Sequence, residues 1–155
     1  MAGKSDKFEY DLQKLTFNGT AITNVCATGG TTSWWVGLMT VDPGDAGSSA
    51  AEGGYAGATP YARVQTDRST QGTTPYGWSI TSGTSAAVAS ASPVGNLDFP
   101  QCATTSTGTF AYFGLFPSSA AQASSAIYYG SISPTIAFGS GVTPRLTTAS
   151  SITED

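Results

Sequence analysis

The clearest strand pattern of this chain runs directly into a turn, in the segment Trp34-Trp35-Val36-Gly37-Leu38-Met39-Thr40-Val41-Asp42-Pro43-Gly44-Asp45-Ala46-Gly47. Its first part, residues 34–41, is almost continuously apolar, which is typical of a strand that is buried on both faces. Pro43 and Gly44 then stand where a type II turn requires them, and Asp42 is placed to accept a backbone N–H. The segment predicts a central strand that ends at a sharp corner.

A calcium site is the competing interpretation of this corner. Such a site would take its oxygen ligands from Asp42, Asp45 and Glu52. The loop lacks the alternating Asp-x-Asp-x-Asp-Gly spacing that gathers oxygens around the ion. We therefore predict a turn and no metal.

A second segment repeats the pattern of the first strand. Tyr112-Phe113-Gly114-Leu115-Phe116 has the order aromatic, apolar, Gly, Leu, apolar, as does Trp35-Val36-Gly37-Leu38-Met39. Gly inside a strand usually marks a place where another group comes close. We predict that Gly37 and Gly114 lie on adjacent central strands, with a large aromatic side chain or the N-terminal helix packed over the gap.

Shorter strand patterns recur along the chain at roughly 12-residue spacing, between Gly- and Pro-containing turns. This arrangement predicts an all-β fold, a single β-sandwich or jelly-roll-like domain with one short N-terminal helix. The helix or arm would cover residues 1–18 and the β-sandwich domain residues 19–155. The further predicted strands lie at 61–66, 78–80, 97–99, 110–116, 126–132, 136–138 and 145–148, whereas 86–91 is either strand or loop.

The predicted helix has a start signal, an apolar stripe and a stop signal. Ser5 is a good N-cap, and Asn18-Gly19 supplies the left-handed residue that ends many helices. Phe8, Leu12 and Leu15 recur at helical spacing and form one apolar stripe. A helix this short needs a surface to dock on, either its own sheet or a neighbouring subunit.

The charge pattern bears on the partners of the chain. Charged residues make up only 10% of the sequence, and the formal net charge is −4. Because phosphate binding requires a basic face, this balance argues against a nucleic-acid partner. Between Phe99 and Thr153 the only charge is Arg145. A soluble monomer usually keeps charge on its surface, so this neutral surface predicts that other subunits cover much of it, in a homo-oligomer.

The composition also bears on catalysis. The sequence contains no histidine, which removes Ser-His-Asp and Cys-His nucleophilic sites and the commonest general base. Most of the acids beyond the first fourteen residues lie in Gly-rich or terminal segments, where solvation is the usual state. We therefore expect no enzymatic activity and no cofactor.

The two cysteines and the apolar runs bear on the compartment. Cys26 and Cys102 have no CxxC partners that would suggest zinc. The start of the chain has no apolar signal-peptide region, so we expect folding in a reducing cytoplasm with both thiols free. No run of 18 apolar residues occurs, so we expect no membrane partner.

Arginines and tryptophans are the candidate interface residues. In a chain with few charges, Arg63, Arg68 and Arg145 each pair either with an internal carboxylate or with a partner subunit. The tryptophans suit a core, a subunit interface or a surface on which sugars stack. The candidate interface set is Phe8, Leu12, Trp34, Trp35, Arg63, Trp78, Tyr128 and Arg145.

Several motifs occur in a recognisable order along nearly the whole chain. They are the leading helix, the aromatic-x-Gly-Leu strand with the corner 42–47, Tyr61-Ala62-Arg63, residues 96–100, residues 112–116, Tyr128-Tyr129-Gly130 and residues 141–145. In this order the chain resembles a family of small tailed-phage virion proteins, often labelled tail fibre proteins. The resemblance implies a structural virion component that is made in the host cytoplasm.

Three roles are open, two within that family and one from another class of protein. A long fibre needs repeats, a coiled coil or a triple β-helix, and the sequence shows none of these. We therefore favour a decoration (cement) protein on the capsid surface, as a trimer, with the major capsid protein as its partner. A small tail fibre or tail-associated subunit bound to tail proteins is the alternative. A carbohydrate-binding module that uses Trp34, Trp35 and Trp78 is the third.

Overall fold

The fold is all-β, as the sequence predicts. The computed structural model describes residues 3–5, 8–12, 17, 33–49, 52, 61–69, 71–81, 89–103, 105, 107–121 and 124–154, and residues 8–12 are helical. The strands are β1 (Gly3–Lys4), β2 (Ser33–Met39), β3 (Val64–Asp67), β4 (Trp78–Thr81), β5 (Ala89–Pro93), β6 (Leu97–Asp98), β7 (Gly108–Phe116), β8 (Tyr128–Phe138), β9 (Arg145–Leu146) and β10 (Ile152–Glu154).

These strands form three antiparallel sheets. The largest has five strands in the order β1-β8-β7-β2-β3, so that the strands that carry Gly37 and Gly114, β2 and β7, lie side by side near its middle. A three-stranded sheet has the order β10-β5-β4, and β6 pairs with β9 in a two-stranded sheet. Antiparallel sheets are common where one face packs on a core and the other is partly solvated.

The register of β2 against β7 confirms the predicted adjacency of the two glycines. Gly37 pairs directly with Gly114, Trp35 with Phe116, and Val36 with Leu115. A Cβ on Gly37 would clash with Glu52 Oε1 and lie 2.9 Å from Phe116 Cε2. An aromatic side chain therefore covers the gap.

The hydrophobic core has two parts, one on each face of the five-stranded sheet. Because side chains alternate along a strand, β2 contributes to both parts. The larger part contains Val36 and Leu38, together with residues of the two-stranded sheet such as Leu97. The smaller part contains Met39 and Phe116.

The N-terminal segment docks on the chain's own sheet. Gly3 and Lys4 pair with β8, and the Phe8 ring lies 5.4 Å from the Tyr128 ring, centroid to centroid. Ser5 caps the helix as predicted, because its hydroxyl accepts the Phe8 N–H at 3.4 Å. Leu12 is 38% exposed. Leu15, Asn18 and Gly19 lie outside the described residues, and the boundary between 1–18 and 19–155 stays a prediction.

The segment that follows β2 turns sharply, as predicted. Gly44 has a φ of 63°, a left-handed value that favours glycine, and the backbone hydrogen bond of the turn runs from the Gly47 N–H to the Gly44 carbonyl at 2.8 Å. The Asp42 carboxylate accepts the Gly44 N–H at 2.9 Å. The Tyr129 hydroxyl donates to Asp45 at 2.8 Å, which ties the corner to β8. The carboxylates of this corner therefore hold the backbone turn and a neighbouring strand.

Several strand predictions differ from the structure: the strand predicted at 145–148 is the two-residue β9, and β1 and β10 were not predicted. The strand predicted at 61–66 begins later, at Val64, because Tyr61 and Arg63 send their side chains into the core instead of extending the ladder. The strands predicted at 126–132 and 136–138 are one strand, β8, with an irregular register against β7 between Phe110 and Tyr112. The undecided segment contains the start of β5 at Ala89, and residues 82–88 lie outside the described part.

Cys102 lies fully buried in the core. Cys26 lies outside the described residues. The expectation of two free thiols therefore stays a prediction.

Candidate functional site

A groove with aromatic walls opens between the five-stranded and the three-stranded sheets. Its volume is about 530 Å³, within the usual range of small-molecule sites. Trp34 and Tyr128 contribute from the first sheet, and Trp78 and Ile80 from the second. We call this the aromatic groove; its lining also includes Arg68 and Ser90.

Trp78 is held in place through both its backbone and its indole ring. Its N–H donates to the Ser69 carbonyl at 2.7 Å, and its Nε1 donates to Thr66 Oγ1 at 3.1 Å. The residue before Trp78, Gly77, has to be a glycine, because a Cβ there would lie 2.7 Å from the Gln71 nitrogen and closer still to the Ser69 carbonyl. These contacts hold the Trp78 ring in position.

Trp34 is tied to the same network and carries a cation on its ring. Thr66 Oγ1 donates to the Trp34 carbonyl at 3.3 Å. The Arg68 guanidinium carbon lies 5.2 Å from the centroid of the Trp34 ring, within the range of a cation–π contact. Thr66 therefore connects the two tryptophans of the aromatic groove.

Trp35 lies on the opposite face of the sheet. It packs against the smaller core part, near Met39 and Phe116, whereas Trp34 packs against the larger one. Successive side chains of a strand point to opposite faces, so neighbouring tryptophans cannot share a site. Of the three tryptophans considered for sugar binding, the structure brings together Trp34 and Trp78 only.

A buried ion pair lies on the same side of the sheet as Trp35. Arg63 Nε donates to Glu52 Oε1 at 2.8 Å and its Nη2 donates to Oε2 at 2.9 Å, a bidentate pair with both side chains fully buried. Arg63 Nη1 also donates to the Ser118 carbonyl and to Ser124 Oγ. The guanidinium carbon lies 3.5 Å from the centroid of the Phe116 ring. Of the two alternatives for Arg63, an internal carboxylate or a partner subunit, the structure shows the internal carboxylate.

Tyr61 completes this buried cluster. Its hydroxyl accepts the Leu38 N–H at 2.6 Å, beyond the last β2–β3 pair, so it replaces a missing ladder bond. Burial raises the pKa of the Tyr61 hydroxyl far above its usual value, and the nearby Glu52 charge raises it further. The phenol is therefore neutral, and it is suited to structure rather than to acid–base chemistry.

Arg145 forms the second ion pair, at the surface. It lies opposite Asp98 in the β6–β9 ladder, and its Nε and Nη2 both donate to that carboxylate. The hydrogen bonds from Arg145 lower the pKa of Asp98, and the carboxylate in turn raises the pKa of Arg145. The pair is about half exposed, with 52% of the Arg145 side chain accessible.

The predicted interface residues thus fall into separate places. Trp34, Trp78 and Tyr128 share the aromatic groove, and Phe8 packs on Tyr128 from the helix. The other four, Leu12, Trp35, Arg63 and Arg145, lie elsewhere, and the interface role of the whole set stays a prediction.

Sequence reasoning missed the burial of Glu52, and it did not foresee that Arg68 lies over the Trp34 ring. Glu52 is 1% exposed although it stands in a Gly- and Ala-rich segment that carries no periodic signal. Arg68 directly follows β3, where its side chain reaches Trp34. The only available signal was the scarcity of charged residues. A buried arginine needs a carboxylate partner, and this chain has few acids that could supply one.

The described part of the chain bears on metal ligation and on membrane spanning. There, no three His, Cys, Asp or Glu side chains lie close enough to hold a metal ion. Among the same residues, no helix is long and apolar enough to cross a membrane.

Comparison with known proteins identifies the family. No curated protein sequence matches this chain. The family model described as "Podophage GP4 fiber I protein gp80" matches residues 3–152, which is nearly the whole sequence. The all-β fold and the ordered motifs are consistent with this match, and the chain therefore belongs to this family of phage virion fibre proteins.

Proposed function

We propose that this chain is a non-enzymatic structural subunit of a phage fibre. The observation that carries the proposal is the match to the fiber I protein family over residues 3–152. The description of that family favours the fibre alternative over the capsid role that the sequence alone suggested. The proposed location is therefore the fibre or its joint with the tail, with tail proteins as partners.

The internal architecture supports a structural role. The long connection between β2 and β3 is fastened to the sheet by Glu52, whose carboxylate receives two hydrogen bonds from Arg63. At the corner, the Gly47 carbonyl accepts the Ala126 N–H at 2.8 Å, and the Tyr129 hydroxyl donates to Asp45. Segments that are far apart in sequence are thus joined by hydrogen bonds and an ion pair.

We further propose that the subunit acts by burying its neutral surface against neighbours. A standard interface hides roughly 800 Å² on each partner, and multivalent attachment multiplies modest single affinities. The scarcity of charge beyond residue 98 reduces the desolvation cost of such contacts. A homo-oligomer, with a trimer favoured, is the assembly that we propose.

Capsid decoration is the second candidate. The sequence has no repeats or heptads that would give a single chain the length of a fibre shaft. A short domain of this kind also suits a cement protein that binds over the major capsid protein lattice. The absence of repeats and heptads is also compatible with a subunit at the base of a fibre, because such a subunit does not have to form a long shaft.

A gene deletion separates the two candidates. Phage that lack a fibre subunit should form intact particles that no longer adsorb to host cells. Phage that lack a cement protein should adsorb normally but lose their genome at a lower temperature. The fibre proposal predicts the first result, and normal adsorption with a weakened capsid would contradict it. Restoring the gene from a plasmid is the control.

A further inference from the structure

We propose that the aromatic groove is closed by a second copy of this chain, whose Phe17 side chain enters it. This inference names the contact surface of the homo-oligomer, so it rests on the proposed function in one respect only, that the chain self-associates. The description of the family assigns no contact surface to the assembly.

The groove is an unfilled space between the apolar faces of two sheets. On the three-stranded sheet, Ile80, Ala91 and Ile152 lie in register with one another and line it. On the five-stranded sheet, Leu115 and Tyr128 are paired across β7 and β8 and also line it. Cross-strand partners share one face of a sheet. Each sheet therefore presents an apolar row to the groove.

The groove is large enough to hold an aromatic side chain of another molecule. Protein interiors are close-packed and leave few empty spaces. An apolar cavity of about 150 Å³ already takes up a benzene molecule, whereas the groove has about 530 Å³. Trp34 and Trp78 offer rings against which a phenyl group packs in an edge-to-face or offset arrangement. A phenylalanine is thus a suitable side chain to fill it.

The chain itself presents such a side chain to solvent. Phe17 is 82% exposed, and Ile80, at the groove, is 67% exposed. Among the described residues, the large apolar side chains that are exposed are Tyr10, Leu12, Phe17, Val41, Ile80 and Val142. One molecule thus carries both an exposed aromatic ring and an open apolar groove, which are the two halves of a heterologous contact between copies.

The N-terminal segment extends the apolar surface of the groove. The Phe8 ring lies 5.4 Å from the ring of Tyr128, which lines the groove. Leu12 follows Phe8 by one helical turn, on the same side of the helix, and is 38% exposed. Apolar side chains therefore continue from the groove onto the helix. A second copy that inserts Phe17 would find further apolar surface beside the groove.

The charges of this surface allow contact between identical chains. Two copies carry the same net charge of −4, so an acidic contact surface would repel. None of the described residues that line the groove is acidic, and the Arg68 guanidinium there already lies over the Trp34 ring. The first seventeen residues carry three lysines and three acids, so their charges balance. The entry of Phe17 buries apolar surface and requires no charge to lose its water.

Sedimentation of the full chain over a range of concentrations tests the contact. We expect the parent chain to self-associate, and Phe17→Ser and Ile80→Glu each to weaken the association at least tenfold. Both positions are exposed in the single chain, so neither change should unfold it. Val41→Ser is the matched control and should leave association unchanged, because Val41 is 57% exposed but does not line the groove.

A disulfide trap identifies the two residues that meet. In a Cys26→Ser background, chains with Phe17→Cys are mixed with chains with Ile80→Cys and oxidised. We expect at least tenfold more covalent dimer in the mixture than in either variant alone. Val41→Cys in place of Phe17→Cys should give no such increase.

The outcomes separate this inference from the proposals around it. A parent chain that stays monomeric at every concentration overturns both the contact and the homo-oligomer, whereas gene deletion tests the fibre role independently. Self-association that neither Phe17→Ser nor Ile80→Glu weakens overturns the contact alone. Equal weakening by Val41→Ser also overturns it, because the association would then depend on exposed apolar surface in general.

Discussion

Gly37 and Gly114 lie directly opposite each other on β2 and β7, and the absence of two side chains there makes room for the buried cluster of the domain. Over Gly37 lie the Glu52 carboxylate, the Phe116 ring and the Tyr61 hydroxyl. A Cβ on Gly114 would lie 2.8 Å from the Phe116 ring. The two glycines thus admit a bulky aromatic ring and an ion pair onto the middle of the sheet.

The first prediction concerns this gap. Gly37→Ala should lower the free energy of unfolding by about 1–3 kcal/mol, because the new methyl group displaces Glu52 or Phe116 from a packed site. Urea denaturation measures the change. Gly72→Ala is the matched control, since nothing lies within 4 Å of a Cβ at that position. Equal stability of the two variants would show that the cluster over Gly37 is not tightly packed.

The second prediction concerns the buried ion pair. Glu52→Ala should lower the free energy of unfolding by about 3–5 kcal/mol, because it leaves the Arg63 charge buried without its carboxylate. Replacing both partners, as in Glu52→Leu with Arg63→Met, should cost less than the single change. Together with the single variants Glu52→Leu and Arg63→Met, the double variant forms a double-mutant cycle, measured by urea denaturation. Strictly additive effects of the two changes would contradict a coupled pair.

The third prediction concerns pH. Arg145 lowers the pKa of Asp98 in the folded chain below the unfolded value of about 3.9. A depressed carboxyl pKa adds stability that is present above the unfolded-state pKa and is lost as the pH falls through the folded-state pKa. NMR titration of the Asp98 carboxyl should therefore give a lower pKa in the parent chain than in Arg145→Gln. Identical titration curves would mean that the surface pair is not formed in solution.

The fourth prediction concerns the support of the aromatic groove. Thr66→Val removes the hydroxyl that accepts from Trp78 Nε1 and donates to the Trp34 carbonyl. We expect the free energy of unfolding to fall by about 1–3 kcal/mol, because the Trp78 Nε1–H and the Trp34 carbonyl lose their hydrogen-bond partner in a partly buried place. Thr66→Ser keeps the hydroxyl and should retain the Trp78 indole N–H chemical shift. A valine variant with an unchanged Trp78 signal would show that the bond does not hold the ring.

Local sequence signals predicted the local structure well. Ser5 as a helix cap, Gly44 at the turn and the glycines of β2 and β7 each follow from backbone requirements that few residues meet. Alternation along a strand would also have separated Trp34 from Trp35, since adjacent residues face opposite sides.

The contacts between distant segments were not predictable in this way. Glu52 and Arg63 meet across a Gly-rich connection that has no periodicity, and only the packing of Phe116 and Gly37 decides where the carboxylate lies. Likewise, Trp78 joins Trp34 because Thr66 bridges strands of two different sheets. Such pairings depend on tertiary structure, and composition shows only that the few charged residues need partners.

The copy number of this protein in purified virions tests the fibre assignment most directly. Quantitative mass spectrometry against the major capsid protein gives the ratio without any assumption about structure. The fibre account predicts a few copies per hundred capsid subunits. A ratio near one to one would contradict it and would make the chain a decoration protein of the capsid.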